Sequence, residues 1–527
     1  MKKLPIGIQS FEKLRSGDFL YVDKTENIYN MVTNGKIYFL SRPRRFGKSL
    51  LISTMEELFK GNKKLFEGLF IYDRWNWEEQ YPVVRIDWTQ IKHGTPEEME
   101  RSMVPFLKRM ATGYGIQLFS EYASDCFGEL IQTLYANTGK QVVVLIDEYD
   151  VPILDSIGKN IEEINKIREF LKDFYRMLKA TDYCLKFTFL TGVSKFSRVS
   201  IFSVLNSPND ITLDERYATV CGYTQEELEY YFSNRILDTA NYQNLTREEL
   251  LKFIKDWYDG YSWDGKSAVY NPYSTLYFFD KHTFDNYWFS SGTPSFLVEL
   301  IKKRNDLSPV LSPVTMTSTA YNSWDPDSIG AVPLLFQTGY LTVKKMELDY
   351  ERVPLYTLAS PNKEVNISMQ EHLMVAYTSS PIDQVNNLRK AMQQQIMQND
   401  AKGLENSFKK LLAYVPYQLD GKSEAYYHSI FLIAMSLLGF DVQGEIATNH
   451  GRIDAVWEQS GQVVIAELKY GAGKKAETLL SEALTQIHDR RYYERYIDRE
   501  LKLLGIAFTG VEVACRIEAD AKAFSAG

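Results

Sequence analysis

The sequence predicts a multidomain α/β protein with two separate sheets, and three segments predict it. Residues 36–41, KIYFLS, form an apolar run that leads through a glycine-containing loop into a helical tract at about 48–59. Residues 142–148, VVVLIDE, form a second apolar run, ending in two acids. Residues 449–471, NHGRIDAVWEQSGQVVIAELKYG, hold two short apolar-rich runs separated by Gln-Ser-Gly. Short apolar runs bounded by turn signals read as core strands, and helical tracts between strands point to parallel α/β units. The 527 residues allow about three domains at roughly 150 residues each.

The first strand is followed by RPRRFGKSLL. Strand, loop, Gly-Lys-Ser and helix form a phosphate-binding P-loop context. Amides at the helix N-terminus point at the phosphates, and the macrodipole favours their negative charge. The expected nucleotide contacts are Arg42, Pro43, Arg44, Arg45, Phe46, Gly47, Lys48, Ser49 and Leu50. Lys48 would reach the phosphates, and the Ser49 hydroxyl would complete a Mg²⁺ shell. The general pattern G-x-x-x-x-G-K-S asks for glycine at 42, where this chain has Arg42.

Residues 81–88, YPVVRIDW, supply an intervening strand. The run at 142–148 looks like a Walker B strand. Asp147 would then hold Mg²⁺ through water, and Glu148 would activate the attacking water. A further strand, LKFTFLTGVSK at 185–195, ends at Thr191 to Ser194. P-loop ATPases of the additional-strand class place a polar sensor of the γ-phosphate there, so Thr191 and Ser194 join the expected cofactor set.

Residues 224–256 show two helices, each opened by a threonine with acids two or three positions on. With the aromatic loops at 257–297 they look like a helical, winged-helix-like lid. Arg198, Arg216 and Arg235 are equal candidates for a finger or second-sensor arginine. Residues 305–330 are rich in Ser, Pro and Thr and are expected to be loop. Strand-like pieces at 341–359 and a helical stretch at 365–412 follow.

The segment at 449–471 carries a second chemistry. Alternation puts Glu467 and Lys469 on one face of its second strand, with Val463 and Ile465. A hairpin brings Asp454 near that pair. Two carboxylates beside an ammonium make a compact site for a hard divalent cation and an attacking water. The pattern G-R-I-D, twelve residues, E-L-K resembles the PD-(D/E)xK nuclease superfamily. The resemblance implies Asp454 and Glu467 as metal ligands and Lys469 as the catalytic lysine. It also implies a glutamate on a preceding helix. Glu424 fits that role, on a helix from Ser423 to Gly439, with His428 one turn further on the same face. A later helix at 480–496 puts Gln486, Arg490 and Tyr493 on one face. Branches of the superfamily use Gln-x-x-x-Tyr here, whereas this chain has Arg490 in the tyrosine slot, followed by Arg491, Tyr492 and Tyr493.

The whole chain resembles the bacterial AAA-ATPase-like proteins with a C-terminal PD-(D/E)xK nuclease domain. The stretches that carry it include RPRRFGKS, LIDEYD, TGVSKFS, WYDGY and SGTPSFL. An arginine-containing P-loop is usual in that family, which accounts for Arg42. The implied organisation is a P-loop AAA-like ATPase domain at 1–220, a lid region at 221–360, a helical connector at 361–412 and a restriction-endonuclease-like domain at 413–527. ATP and Mg²⁺, with Mn²⁺ as an alternative, are the implied cofactors. Nucleic acid is the implied partner, with DNA favoured over RNA by family analogy. Self-association is expected. The alternative reading is a nucleotide-dependent switch or remodelling ATPase whose nuclease-like domain binds DNA or a partner without cutting.

Composition limits the rest. The formal net charge is −8, so a nucleic-acid groove must be a local basic patch. Lys474, Lys475, Arg490 and Arg491 are candidates for it. Aromatic residues reach 14%, enough to supply stacking platforms as well as core. Four scattered cysteines without a CxxC argue against a disulfide framework and a zinc site, and fit a reducing cytoplasm. The opening MKKLPIGIQSF lacks the apolar run of a signal peptide, and the longest apolar helical run, near 429–440, is too short to span a bilayer.

Overall fold

The computed structural model describes residues 1–156, 160–195, 208–290, 313–318, 330–378, 382–413, 424–440, 442–448, 451–459, 461–496, 498–509 and 512–519. The chain divides into two compact units, the first ending at Val365 and the second running on from Asn366.

The first unit is built on a five-stranded sheet. Strands β1 (Ile37–Ser41), β2 (Val83–Asp87), β3 (Val142–Asp147), β4 (Leu185–Gly192) and β5 (Asn209–Asp210) lie in the order β2-β3-β4-β1-β5. Every pairing is parallel. Parallel sheets are covered on both faces, which is why β3 reads as one continuous apolar run and is buried along its whole length. β4 sits between β1, which feeds the P-loop, and β3, which carries the acids. That insertion is the additional strand. It gathers the carboxyl ends of β1, β3 and β4 at one edge, where ligands bind in open α/β sheets.

The region after the sheet is helical, as expected, with one difference. Residues 225–258 form three helices, Gln225–Tyr231, Ser233–Gln243 and Arg247–Tyr258, where two were expected. The break falls at Phe232. Its ring is buried with Leu228 and Ile236 and stacks on Phe279 at 5.1 Å, so burial of the ring accompanies the turn in the chain. Thr224 with Glu227 and Thr246 with Glu249 form complete capping boxes. Strands β6 (Val314–Thr317), β7 (Thr342–Leu348) and β8 (Pro354–Ala359) make an antiparallel sheet in the order β6-β8-β7. β6 lies inside the stretch expected to be loop. Most of that stretch falls outside the described residues.

The second unit holds helices Ile382–Met397, Ala401–Ala413 and Glu424–Leu437, then strands β9 (Gln443–Thr448), β10 (Gly451–Gln459), β11 (Gln462–Tyr470), β12 (Glu500–Phe508) and β13 (Val513–Ala519). The sheet order is β13-β12-β11-β10-β9, parallel only between β11 and β12. Val463 and Ile465 of β11 pack with Leu484 and Ile487 of helix Ala476–Asp489. This is the face the alternation assigned to Glu467 and Lys469. The helix stops at Asp489 rather than running to 496. Arg491 takes a left-handed φ of 47°, and Tyr492–Tyr496 forms a separate short turn. Tyr493 therefore does not share a helix face with Gln486. Among the described residues no helix is long and apolar enough to cross a membrane.

Candidate functional site

Gly47 has φ 92°, a conformation open to glycine without strain, and the helix Lys48–Phe59 starts on the next residue. The Lys48 ammonium donates to the carbonyls of Arg42 at 3.0 Å and Pro43 at 3.1 Å, and lies 3.5 Å from a Glu148 carboxylate oxygen. Arg44 and Arg45 are exposed, and Ser49 and Leu50 are half-buried.

Asp147 ends β3 in the interior. Its Oδ1 is buried and has no hydrogen-bond partner among the described residues. Burial and then the Glu148 charge push its carboxyl up to about 6, against a hydrogen bond from Ser49. A buried orphan oxygen beside a serine hydroxyl suits a hard cation, which takes oxygen ligands. Glu148 has φ 52°, rare for a non-glycine residue, and this conformation accompanies its approach to Lys48.

Other expected contacts have partners inside the protein. The Arg42 guanidinium is fully buried. It donates to the carbonyls of Ser41, Thr212 and Tyr217 and stacks 3.8 Å from the Trp263 ring centroid. Arginine at the first loop position is thus bound to the strands and turns behind the loop. Phe46 is buried against Tyr261 and Trp263. The Thr191 hydroxyl donates to Leu40 O at 2.8 Å, joining β4 to β1. Ser194 donates through both N–H and Oγ to Asp150, at 2.6 and 2.7 Å. Arg216 pairs with Asp214, and Arg235 donates to the Lys2 carbonyl. Arg198 lies outside the described residues.

A cavity of about 620 Å³ opens beside the loop. Its lining includes Lys48, Ser49 and Glu148 together with Tyr273 and Leu276.

In the second unit, Ala455 pairs with Ala466, so the antiparallel register sets Asp454 level with Glu467. Asp454 Oδ2 accepts from the Leu468 N–H at 2.8 Å. Glu467 is fully buried. One carboxylate oxygen lies 3.0 Å from the Lys469 ammonium, and among the described residues the other has no hydrogen-bond partner. Burial and then the Asp454 charge push the Glu467 carboxyl up to about 7. An orphan oxygen in the interior is costly unless something pairs with it, and two facing carboxylates suit a divalent cation. Among the described residues no three acidic, histidine or cysteine side chains converge as a ready-made metal cage. Glu424 is the first residue of its helix, but its side chain, like Ser423, lies outside the described residues. His428 of that helix contacts the Asp454 carbonyl through Nε2 at 2.8 Å.

A second cavity, of about 830 Å³, adjoins Lys469 and is also lined by Arg452, Ser481, Gln486, Arg490 and Tyr492. Tyr492 donates to the Arg452 carbonyl at 2.8 Å and accepts from Gln486 at 3.4 Å. Gln486 thus meets a tyrosine six residues on. Of the expected basic groups, Lys474 pairs with Glu482 and Arg491 with Glu494 at the surface, and Lys475 precedes the helix Ala476–Asp489.

The family described as Predicted AAA-ATPase matches residues 5–202, and the PD-(D/E)XK nuclease superfamily matches residues 422–517. A protein of Azotobacter chroococcum mcd 1, described as an uncharacterized protein in the vnfD 5′ region, is 38% identical over 516 residues, 96% of each chain. The chain is an AAA-ATPase-like protein with a PD-(D/E)XK nuclease-superfamily domain. Three residues of this AAA-ATPase-like protein escaped sequence reasoning. Asp150 binds Val193 N–H and Ser194, yet in LIDEYD only the first two acids stand out. Glu364 accepts from Ser274 and Trp288 across 76 or more positions, a link no local pattern reveals. Tyr492 stands out in the sequence only as a neighbour of the tyrosine slot that Arg490 fills. The left-handed turn at Arg491 brings it to Gln486.

Proposed function

We propose that this protein binds and hydrolyses ATP, and that its PD-(D/E)XK domain cuts nucleic acid, DNA in preference to RNA, with Mg²⁺ and under control of the nucleotide. The observation that carries the cutting reading is the buried Glu467, level with Asp454, with one oxygen on Lys469 and the other without a hydrogen-bond partner among the described residues. Asp454 and Glu467 would hold the cation, and Mn²⁺ suits the same donors. When bound, the cation supplies charge stabilisation at the scissile phosphate and acidifies a water. Lys469 orients that water and offsets the charge of the attacking oxygen. On the ATP side, Lys48 would bind the phosphates, Ser49 and Asp147 would hold a second cation, and Glu148 would take the proton of the hydrolytic water.

The test incubates purified protein with linear, circular and single-stranded DNA and with RNA, in Mg²⁺. Metal-dependent cutting is expected, and Asp454→Ala should lower it by about 100-fold or more. Equal cutting by the wild type and Asp454→Ala would assign the activity to something else. No cutting of any substrate would favour a domain that binds without cleaving.

A further inference from the structure

The left-handed φ of 52° at Glu148 is costly for a non-glycine residue and persists only where its surroundings hold it. The two residues that follow are both tied to the end of β4. The Tyr149 N–H donates to Thr191 O at 3.0 Å, and the Tyr149 hydroxyl donates to Ser194 O at 2.8 Å. Asp150 is fully buried, and its Oδ2 accepts from Val193 N–H at 3.0 Å, Ser194 N–H at 2.6 Å and Ser194 Oγ at 2.7 Å. The approach is close enough to need glycine at 192. A Cβ there would collide with Asp150 Oδ1 and stand 2.7 Å from the Tyr149 ring. The same stretch of β4 is also tied to the strand that feeds the P-loop. Thr191 Oγ1 donates to Leu40 O at 2.8 Å, Arg42 N–H donates to Gly192 O at 3.1 Å, and Ser41 Oγ donates to Val193 O at 2.5 Å. Residues 191–194 therefore link the loop that leads to Lys48 with the turn that carries Glu148. Across that link the Glu148 carboxylate comes to 3.5 Å from the Lys48 ammonium.

We propose that Asp150 is a positioning residue for ATP hydrolysis, which holds Glu148 in place by anchoring the acid turn to the end of β4. The proposal rests on the reading that Glu148 takes the proton of the hydrolytic water. A general base works only within hydrogen-bond reach of its water, and a displacement of about 1 Å can cost on the order of 100-fold in rate. Nucleotide affinity has a different source, the loop amides and Lys48. Asp150 spends its Oδ2 on two backbone N–H groups and a serine hydroxyl, and it does not touch the nucleotide in this account. Loss of Asp150 should therefore slow the chemistry and spare binding.

Two measurements on the full chain separate these effects: hydrolysis at saturating ATP with Mg²⁺, and calorimetric titration with a non-hydrolysable ATP analogue. Asp150→Ala should lower kcat by about tenfold to 100-fold and change the Kd of the analogue by less than about threefold. Gly192→Ala keeps the Asp150 carboxylate but drives it off the strand end, and should show the same split. Asp150→Asn keeps an acceptor oxygen and should restore most of the rate. If Asp150→Ala fails to fold, Ser194→Ala, which removes a single hydroxyl from the anchor, decides, with an expected loss of about fivefold in kcat. An unchanged kcat in folded Asp150→Ala or in Ser194→Ala would overturn the proposal. A fall in kcat matched by an equal loss of analogue binding would do the same, and so would Asp150→Asn no faster than Asp150→Ala. Each of these results leaves the P-loop reading standing. A wild type that binds the analogue but does not hydrolyse ATP would overturn the hydrolysis reading and the proposal with it. A wild type that does not bind the analogue would overturn the P-loop reading as well.

Discussion

Glu364 is a buried carboxyl that accepts from Ser274 Oγ at 2.8 Å and from Trp288 N–H at 2.7 Å, while the Trp288 indole donates to the Arg44 carbonyl of the P-loop. Burial pushes its carboxyl up to about 8. Because the folded value lies above the ordinary one near 4.5, the folded chain holds this proton over a range where the unfolded chain has lost it. Stability from this group therefore falls as pH rises from about 4.5 to about 8, and the full cost, on the order of a few kcal/mol, is present above that range. Glu364→Gln keeps the shape and removes the titration. Thermal unfolding at pH 6 and pH 9 should show a smaller loss for Glu364→Gln than for the wild type. Equal losses would mean that Glu364 is not the group that titrates.

At the scale of elements, the Gly-Lys-Ser loop, the acid-tipped strand and the Asp-hairpin-Glu-x-Lys unit were all legible, because each is local. Spacing fixes the P-loop turn, and period-two alternation fixes which side chains share a strand face. What local pattern could not reach was set by tertiary contacts. Arg42 reads as a phosphate contact next to Arg44 and Arg45, yet packing against Trp263 and three carbonyls buries it. Thr191 and Ser194 sit at the expected strand end, but their bonds depend on where Leu40 and Asp150 lie. The end of helix Ala476–Asp489 was placed seven residues late because Arg490 and Tyr493 continue an amphipathic pattern that the Arg491 turn interrupts. That turn gives Tyr492 a role in holding β10 two residues before Asp454. Tyr492→Phe removes one hydroxyl whose net worth is about 1 kcal/mol. It should slow cutting by about fivefold in kcat with little change in KM, and lower the unfolding midpoint by no more than about 2–4 °C. An unchanged kcat would make Tyr492 a packing residue only.

At the scale of the whole molecule, the chain joins an additional-strand P-loop unit to a mixed-sheet unit with an acid pair and a lysine. The cavity at Lys469 carries Arg452 and Arg490 together with Glu482 and Asp489, and on the proposed nuclease reading its three cations would be the local attraction for a phosphodiester in a chain of net charge −8. On the proposed function both sites are active and the nucleotide governs the cut. DNA cleavage in Mg²⁺ with and without ATP, by the wild type, Lys48→Ala and Asp454→Ala, decides this. We expect cutting by the wild type that changes several-fold with ATP, the loss of that ATP response in Lys48→Ala, and no cutting by Asp454→Ala in either condition. Cutting by the wild type that ignores ATP and is unaltered in Lys48→Ala would contradict the coupling.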